Sequence, residues 1–390
     1  MEERLKMILE MEKGEKPMAM ICREYGISRQ TGYKWLGRHQ ADPCVAMLQD
    51  RDRRPHFNPR QLEGAVVELI IEARKRWPHW GPRKLRVKLQ ELRPDVVLPA
   101  ASTIGAVLKR SGLVRHRKRR RRTPPYTMPF GQCVAPNQVW CIDFKGHFKY
   151  GNGETCYPLT LTDAFSRYLL RCEIVGNADT WEVRQVLESA FREFGLPEAI
   201  RSDNGPPFAS TGLGGLSELS VWLIRLGIRV ERIDPGKPQQ NGRHERMHLT
   251  LKRETASPPR HSRQAQQRAF DAFRIEYNLE RPHESLKMRT PTSAYAPSTR
   301  LFPEQLARND YPFDIERAVV DKHGFMIWQG RKIRVGAAFK HELVELRPRG
   351  RRKWHVSFGP VVLGLLDENR RKAGIVPLAR KPRVSAMSSV

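Results

Sequence analysis

Ala199-Ile200-Arg201-Ser202-Asp203-Asn204-Gly205-Pro206-Pro207-Phe208 is the stretch that decides the fold. Its first four residues read as a short strand that runs straight into an acidic residue, and Asn204 and Gly205 then shape the turn. Upstream, residues 139–144 form a second compact strand with Asp143 near its end. Residues 157–161 and 167–174 read as two more strands, separated by a turn at Asp163-Ala164-Phe165-Ser166. Thr180 is expected to cap a helix through Val183, Val186, Leu187 and Phe191, ended by Gly195 and Pro197. An apolar helix ending near Leu226 precedes a strand at 228–233, and helix resumes from Asn241. Early strands followed by helix–strand alternation predict an α/β domain with a mixed sheet over residues 137–297.

The segments on either side have other periods. Residues 1–57 contain a helix, a turn at Gly26-Ile27-Ser28 and a second helix from Arg29 to Leu36. Arg29, Gln30, Thr31 and Lys34 decorate the outer face of that second helix, as in a helix-turn-helix whose second helix enters the major groove. An ordinary pair of short packed helices fits the same pattern. Residues 58–114 form a second all-α block that resembles another winged or helix-turn-helix unit and is expected to bind DNA, with Leu62, Val66, Leu69, Ile70 and Ala73 on one helical face. There Leu85 and Leu89 follow the Trp80-Gly81-Pro82 break, and a last helix is expected to start at Ser102 or Thr103 and stop at Gly112. Residues 115–136 read as a basic linker containing Arg117, Lys118, Arg119, Arg120, Arg121 and Arg122. Residues 315–376 are short strands and glycine turns, an all-β, barrel-like domain, and 377–390 a tail.

Composition narrows the function. The 390 residues carry a formal charge of +28, an excess that favours polyanions through counterion release, nucleic acid first among them. No apolar stretch is long enough to span a bilayer, and the N-terminus has no secretory pattern. The 6 cysteines are scattered with no C-x-x-C pair, which points to reduced thiols, a cytoplasmic setting and no zinc knuckle.

A basic chain that cuts phosphodiesters needs acidic groups converging on divalent metal, and Mg²⁺ (or Mn²⁺) takes the hard oxygens of Asp and Glu. Asp143 and Asp203 lie at strand ends, and Glu245 one turn into a helix in Asn241-Gly242-Arg243-His244-Glu245. At these residues the chain resembles the insertion-sequence transposases of the retroviral-integrase superfamily, and among them the insertion sequence 481 family. The fragments W-x-x-D-F around Asp143, S-D-N-G-x-x-F at Asp203, G-x-P-x-x-N-G-x-x-E ending at Glu245 and L-K-x-E ending at Glu254 occur in order. Tyr277-Asn278, Arg281-Pro282-His283 and Thr290-Pro291 continue the series.

The resemblance implies a ribonuclease-H-like core and a metal-bound triad of Asp143, Asp203 and Glu245 holding two ions. It also implies cleavage at transposon terminal repeats, joining to target DNA, and a homo-oligomer, dimer or larger, on DNA in the bacterial cytosol or nucleoid. Lys252 lies two turns beyond Glu245 on nearly the same helix face and could hold a phosphate, or could simply be solvated. Gln240 and Asn241 could position DNA, or Asn241 could serve as a helix cap.

Two departures stand out. The interval from Asp203 to Glu245 is longer than usual in the superfamily, an excess expected in the glycine-rich loop at 211–215, and a retroviral His-His-Cys-Cys zinc domain is absent. Two rival readings remain: a zinc metalloprotease using His244-Glu245-Arg246-Met247-His248, and a catalytically inactive DNA-binding regulator.

If the basic run lies along DNA, neutralising four of its arginines should weaken binding to end and random sequences alike, since phosphate contacts carry no base information. The slope of log affinity against log salt should fall by roughly three to four units, about 0.9 per lost contact. A salt titration with both DNAs checks this, and unchanged slopes would return the run to a solvated linker.

Overall fold

The computed structural model describes residues 2–50, 61–114, 133–144, 146–176, 179–233, 242–306, 314–369 and 374–377. The chain folds as two units, Met1–Glu63 and Gly64–Val390. In the first, α1 (Glu2–Lys13), α2 (Met18–Glu24) and α3 (Arg29–Ala41) pack Met7, Ile8, Ile21, Cys22 and Trp35 into one core. The turn between α2 and α3 works as its residues dictate. Gly26 takes a φ of +64°, and Ser28 caps α3 by accepting the Thr31 N–H at 3.1 Å. Gly32 lets the two helices close up, because a Cβ there would lie 2.6 Å from the Cys22 sulfur.

The second unit begins with α4 (Gly64–Arg76), α5 (Pro82–Leu92) and α6 (Ala101–Arg110), which bury Ile70, Leu85, Leu89, Ile104, Val107 and Leu108. Pro82 stands in the first turn of α5, where its missing N–H costs nothing. The last helix of the block starts at Ala101, ahead of the hydroxyl residues, with no side-chain cap.

A mixed sheet follows. Its strands are β1 (Val139–Phe144), β2 (Phe148–Lys149), β3 (Thr155–Asp163), β4 (Leu169–Val175), β5 (Ala199–Ser202) and β6 (Arg229–Arg232). The order across it is β4-β3-β1-β5-β6, with β2 pairing β3. Strand β3 runs antiparallel to β1 and β4, whereas β1, β5 and β6 are parallel. Three antiparallel strands continued by two parallel ones make the ribonuclease-H-like core. Helix α7 (Thr180–Phe194) joins β4 to β5 and α8 (Glu218–Arg225) joins β5 to β6. The cap of α7 is Asp179 rather than Thr180: its carboxylate accepts the Glu182 N–H at 3.0 Å, and Thr180 is the first helical residue.

Strand β1 alternates. Trp140 and Ile142 point into an apolar core with Val183, Leu187 and Phe191 of α7 and Trp222 of α8. The opposite face of the sheet is covered by α9 (Gly242–Thr255) and α10 (Arg263–Leu279).

The C-terminal β-rich region comprises β7 (Glu316–Val319), β8 (Phe325–Trp328), β9 (Arg331–Arg334), β10 (Leu343–Pro348), β11 (Lys353–Phe358), β12 (Val361–Asp367) and β13 (Ile375–Val376). Five of these form a sheet in the order β13-β12-β11-β10-β7, and β8 and β9 pair as a hairpin. Its core takes in Leu216, Val221 and Ile224 from the α8 segment. The glycine-rich loop is therefore not a free extension. Leu213–Gly215 forms a tight helical turn, and a Cβ on Gly214 (φ +62°) would lie 3.2 Å from Leu363 of β12. No helix among the described residues is long and apolar enough to cross a membrane.

Phe191 is fully buried, with its ring 5.9 Å from Trp140 and 5.7 Å from Trp222. Phe191→Ala should cost about 3–5 kcal/mol through lost burial and the cavity left behind. Thermal denaturation should show a large drop for Ala and a smaller one for Leu; equal midpoints for Ala and wild type would contradict this packing.

Candidate active site

Side chains alternate along a strand, so Asp143 shares its face with Val139 and Cys141, away from the Trp140 core. Asp143 is half-buried at the end of the central strand. The parallel ladder pairs Val139 with Ala199, Trp140 with Ile200 and Cys141 with Arg201. Continued two residues past its last pair, that register sets Asp203 abreast of Asp143.

The turn after β5 holds Asp203 in place. Its carboxylate accepts the Gly205 N–H at 3.1 Å, and the Asn204 amide donates to the Ile233 carbonyl at 2.8 Å. A Cβ at Gly205 would come within 3.2 Å of the Asp203 carboxylate, so the glycine leaves that group uncrowded.

Helix α9 lies across the same face of the sheet. Met247 and Leu251 pack with Phe270, Phe273 and Tyr277 of α10 and with Cys156 and Cys172 of the sheet. His244 and His248 are buried, while Glu245 and Lys252 are exposed. The two histidines converge on β3. His244 Nε2 lies 2.6 Å and His248 Nε2 2.7 Å from Thr160 Oγ1, and His244 Nδ1 lies 3.0 Å from Thr162 Oγ1. Burial pushes the His244 pKa down to about 3, so its ring is neutral. Among the described residues, Asp143, His244 and His248 bring one potential ligand atom each within 4.8 Å of one another. Asp203 and Glu245 stand outside that group.

The later sequence fragments lock α9 from its far end. Arg281 donates to Glu254 at 2.7 Å, a pair with side-chain exposures of 7% and 13%. The Arg281 guanidinium also lies over the Trp80 ring, 5.7 Å from its centroid. Asn278 uses both ends of its amide on the backbone of Leu169, where β4 begins.

In the first unit, Arg29, Gln30 and Lys34 are exposed on α3, with Thr31 half-buried and its hydroxyl 2.9 Å from that of Ser28. Tyr33, exposed on the same helix, joins this face. Arg117, Lys118, Arg119, Arg120, Arg121, Arg122, Gln240 and Asn241 lie outside the described residues. Thr160 and Thr162 are the residues that reading the sequence missed. The run Leu159-Thr160-Leu161-Thr162 alternates apolar and hydroxyl side chains, which marks one face of the strand as polar.

Residues 134–238 match the model of the integrase core domain family, and 226–291 match a second integrase core domain model. Residues 3–56 match a helix-turn-helix domain and 31–108 a homeodomain-like domain. An insertion element IS407 uncharacterized 31.7 kDa protein of Burkholderia multivorans is 31% identical over 159 residues, 40% of this chain and 55% of the relative. An insertion element IS476 uncharacterized 39.2 kDa protein of Xanthomonas euvesicatoria is 29% identical over 202 residues, 52% of this chain and 55% of the relative. The chain thus spans about half the length of these curated relatives. The HTLV-2 integrase catalytic core domain, solved in complex with magnesium, aligns at 18% identity and a TM-score of 0.34, over 42% of this chain and 99% of that one.

Arg281→Ala would leave Glu254 buried without its partner. Loss of about 3–5 kcal/mol is expected, as for broken buried pairs. Replacing both Arg281 and Glu254 by Met should recover most of it, since no buried charge remains. Denaturation midpoints of the three proteins check the pair, and a double variant as unstable as Arg281→Ala would refute it.

Proposed function

We propose that this chain, which carries an integrase core domain together with helix-turn-helix domains, is a DNA transposase that cleaves the ends of its element and joins them to target DNA. The observation carrying the reading is the parallel β1–β5 register, in which Cys141 pairs with Arg201; carried on two residues, it would bring Asp143 abreast of Asp203 at the C-terminal ends of the two strands. Glu245 stands exposed on the helix that crosses the same face. Three carboxylates on separate elements are a donor set of hard oxygens, and they fit Mg²⁺ or Mn²⁺. Asp143, Asp203 and Glu245 would hold two such ions, which when bound supply charge stabilisation to the attacking and leaving oxygens of an in-line displacement.

The chain's own residues do the rest. The turn at Asn204 and Gly205 keeps the Asp203 carboxylate accessible, and Lys252, exposed seven residues after Glu245, offers a cation for a nearby phosphate. Two reactions of one kind follow: water attacks a phosphorus at the element's end and expels the 3′-oxygen, which leaves as a 3′-hydroxyl, and that hydroxyl attacks a phosphorus of the target and expels the target's own 3′-oxygen. The face of α3 bearing Arg29, Gln30, Thr31 and Lys34 would read the ends in the major groove. Paired cutting of two ends calls for a homo-oligomer on DNA.

The protease reading fits less well. A zinc site of the H-E-x-x-H kind needs imidazole nitrogens free to ligate, whereas both ring nitrogens of His244 are engaged by Thr160 and Thr162. The inactive-regulator reading has to treat the alignment of Asp143 with Asp203 as idle.

Asp143→Asn, Asp203→Asn and Glu245→Gln keep shape and remove a charged ligand. Each should abolish Mg²⁺-dependent cleavage of end DNA while end binding without metal stays near wild type. Full cleavage by any one variant would remove that residue from the site, and full cleavage by all three would end the transposase reading.

A further inference from the structure

The Thr160 hydroxyl is the junction of the polar face beneath Asp143. It contacts three groups: His244 Nε2, His248 Nε2, and the Asp143 main-chain carbonyl at 3.1 Å. A carbonyl can only accept, so the hydroxyl proton goes to Asp143. The hydroxyl oxygen then accepts from both imidazoles, which fixes a hydrogen on each Nε2. With that tautomer, His244 Nδ1 is an acceptor, and the Thr162 hydroxyl 3.0 Å away donates to it. One donation and two acceptances saturate Thr160. Every proton in the chain of contacts has one consistent place.

The network is dry. Thr160 is fully buried and Thr162, His244 and His248 are nearly so. It also joins β3 to α9, two elements that share an apolar cluster through Cys156, Met247 and Leu251. Thr160 faces Asp143 across the β1–β3 ladder, and α9 carries both histidines with Glu245 between them in sequence. Apolar contacts are non-directional and tolerate a helix that turns or slides. Two imidazoles aimed at one oxygen do not, because a one-residue slip rotates the helix by about 100°.

We propose that Thr160, with His244 and His248, is the positioning device that fixes the Glu245 turn of α9 against the Asp143 end of β1, and so sets the spacing of the carboxylates that hold metal. This rests on the transposase reading. None of the three residues needs to touch a reacting atom. The same atoms suggest another use, an ion held by Asp143, His244 and His248. The hydroxyl oxygen already sits where the two Nε2 atoms converge, and His244 has no ring nitrogen to spare.

The test uses the full-length chain and a duplex carrying the element's terminal sequence. Thr160→Val keeps the shape and removes the hydroxyl, and Thr160→Ser restores it. Cleavage is followed against Mg²⁺ concentration, with duplex binding in chelator and the melting temperature measured alongside. Groups that orient metal ligands typically carry 10–100-fold in metal affinity, so Thr160→Val should need about tenfold more Mg²⁺ for half-maximal cleavage. Thr160→Ser should lie close to wild type, and duplex binding should be unchanged in both. Thr162→Val and His248→Asn should shift the Mg²⁺ midpoint in the same direction, and they carry the test should Thr160→Val fail to fold.

Midpoints that stay at wild type in the folded variants would overturn the proposal. So would one equivalent of Zn²⁺ bound by wild type and lost in His248→Asn, since the cluster would then be an ion site. Asp143→Asn, run in parallel, separates the two levels. If it still cleaves, the transposase site itself is wrong; if it is dead while Thr160→Val has an unmoved midpoint, only the positioning role fails.

Discussion

The parallel pairing of β1 with β5 is the constraint on which the rest of the molecule depends. Strand β1 is central, with an antiparallel neighbour on one side and a parallel one on the other. A parallel neighbour requires a crossover, which α7 supplies after β4; it returns the chain to the end of the sheet where β1 starts, so that β5 runs beside β1 and finishes where β1 finishes. Both acidic residues therefore emerge at one edge. A two-residue alternation along β1 then separates duties: Trp140 and Ile142 build the core with α7, and Asp143 is left on the other face.

That other face is where the fold departs from ordinary packing. A helix lying on a sheet is normally held by an apolar stripe, and Met247 and Leu251 provide one. Yet α9 is also held by directional contacts at both ends. Near its start two histidines grip Thr160, and near its end Glu254 pairs with Arg281 in a largely buried setting. Buried polar groups contribute little net stability against well-packed apolar ones, and what they add is a single geometry. If Glu245 is a metal ligand, as proposed, a helix that presents it has a use for that.

Much of this was legible in the sequence, and the reason differs from residue to residue. The strand-end positions of Asp143 and Asp203 were legible because a short run that reads as strand leads into each, and Asn204 and Gly205 mark the turn after Asp203. The α2–α3 turn was legible because Gly26 and Ser28 each have one dominant local role. Local signals fail where a tertiary partner decides. Threonine is an ordinary strand former, so Thr160 and Thr162 drew no notice until the helix above them was known. Glu254 and Arg281 were seen as separate fragments, and nothing local joins residues 27 positions apart. His244 and His248 offered a rival zinc-ligand reading because helical spacing puts them on one face; the sequence does not say that this face looks onto hydroxyls. At α7, Asp179 took the capping role expected of Thr180, a shift of one residue between two good caps.

The glycine-rich loop shows how spacing between distant site residues can carry information about a different part of the fold. The long interval between Asp203 and Glu245 pointed to the glycine-rich loop at 211–215 as the place of the excess. In the structure Leu213, Leu216, Val221 and Ile224 contribute to the core of the C-terminal β-rich region, and Arg232 of β6 donates to the Gly215 carbonyl at 2.7 Å. Gly214 and Gly215 take positive φ, so the chain turns sharply enough to lay Leu213 and Leu216 against the strands. The same segment follows Phe208, whose ring packs against Phe144 one residue after Asp143. The seat of the β-rich region and the acidic edge of the sheet are thus built from one continuous stretch, 203–225. Ser210 closes that stretch on itself, its N–H donating to the Gly215 carbonyl at 3.0 Å, so the loop that seats the β-rich region is tied back toward the strand that ends before Asp203.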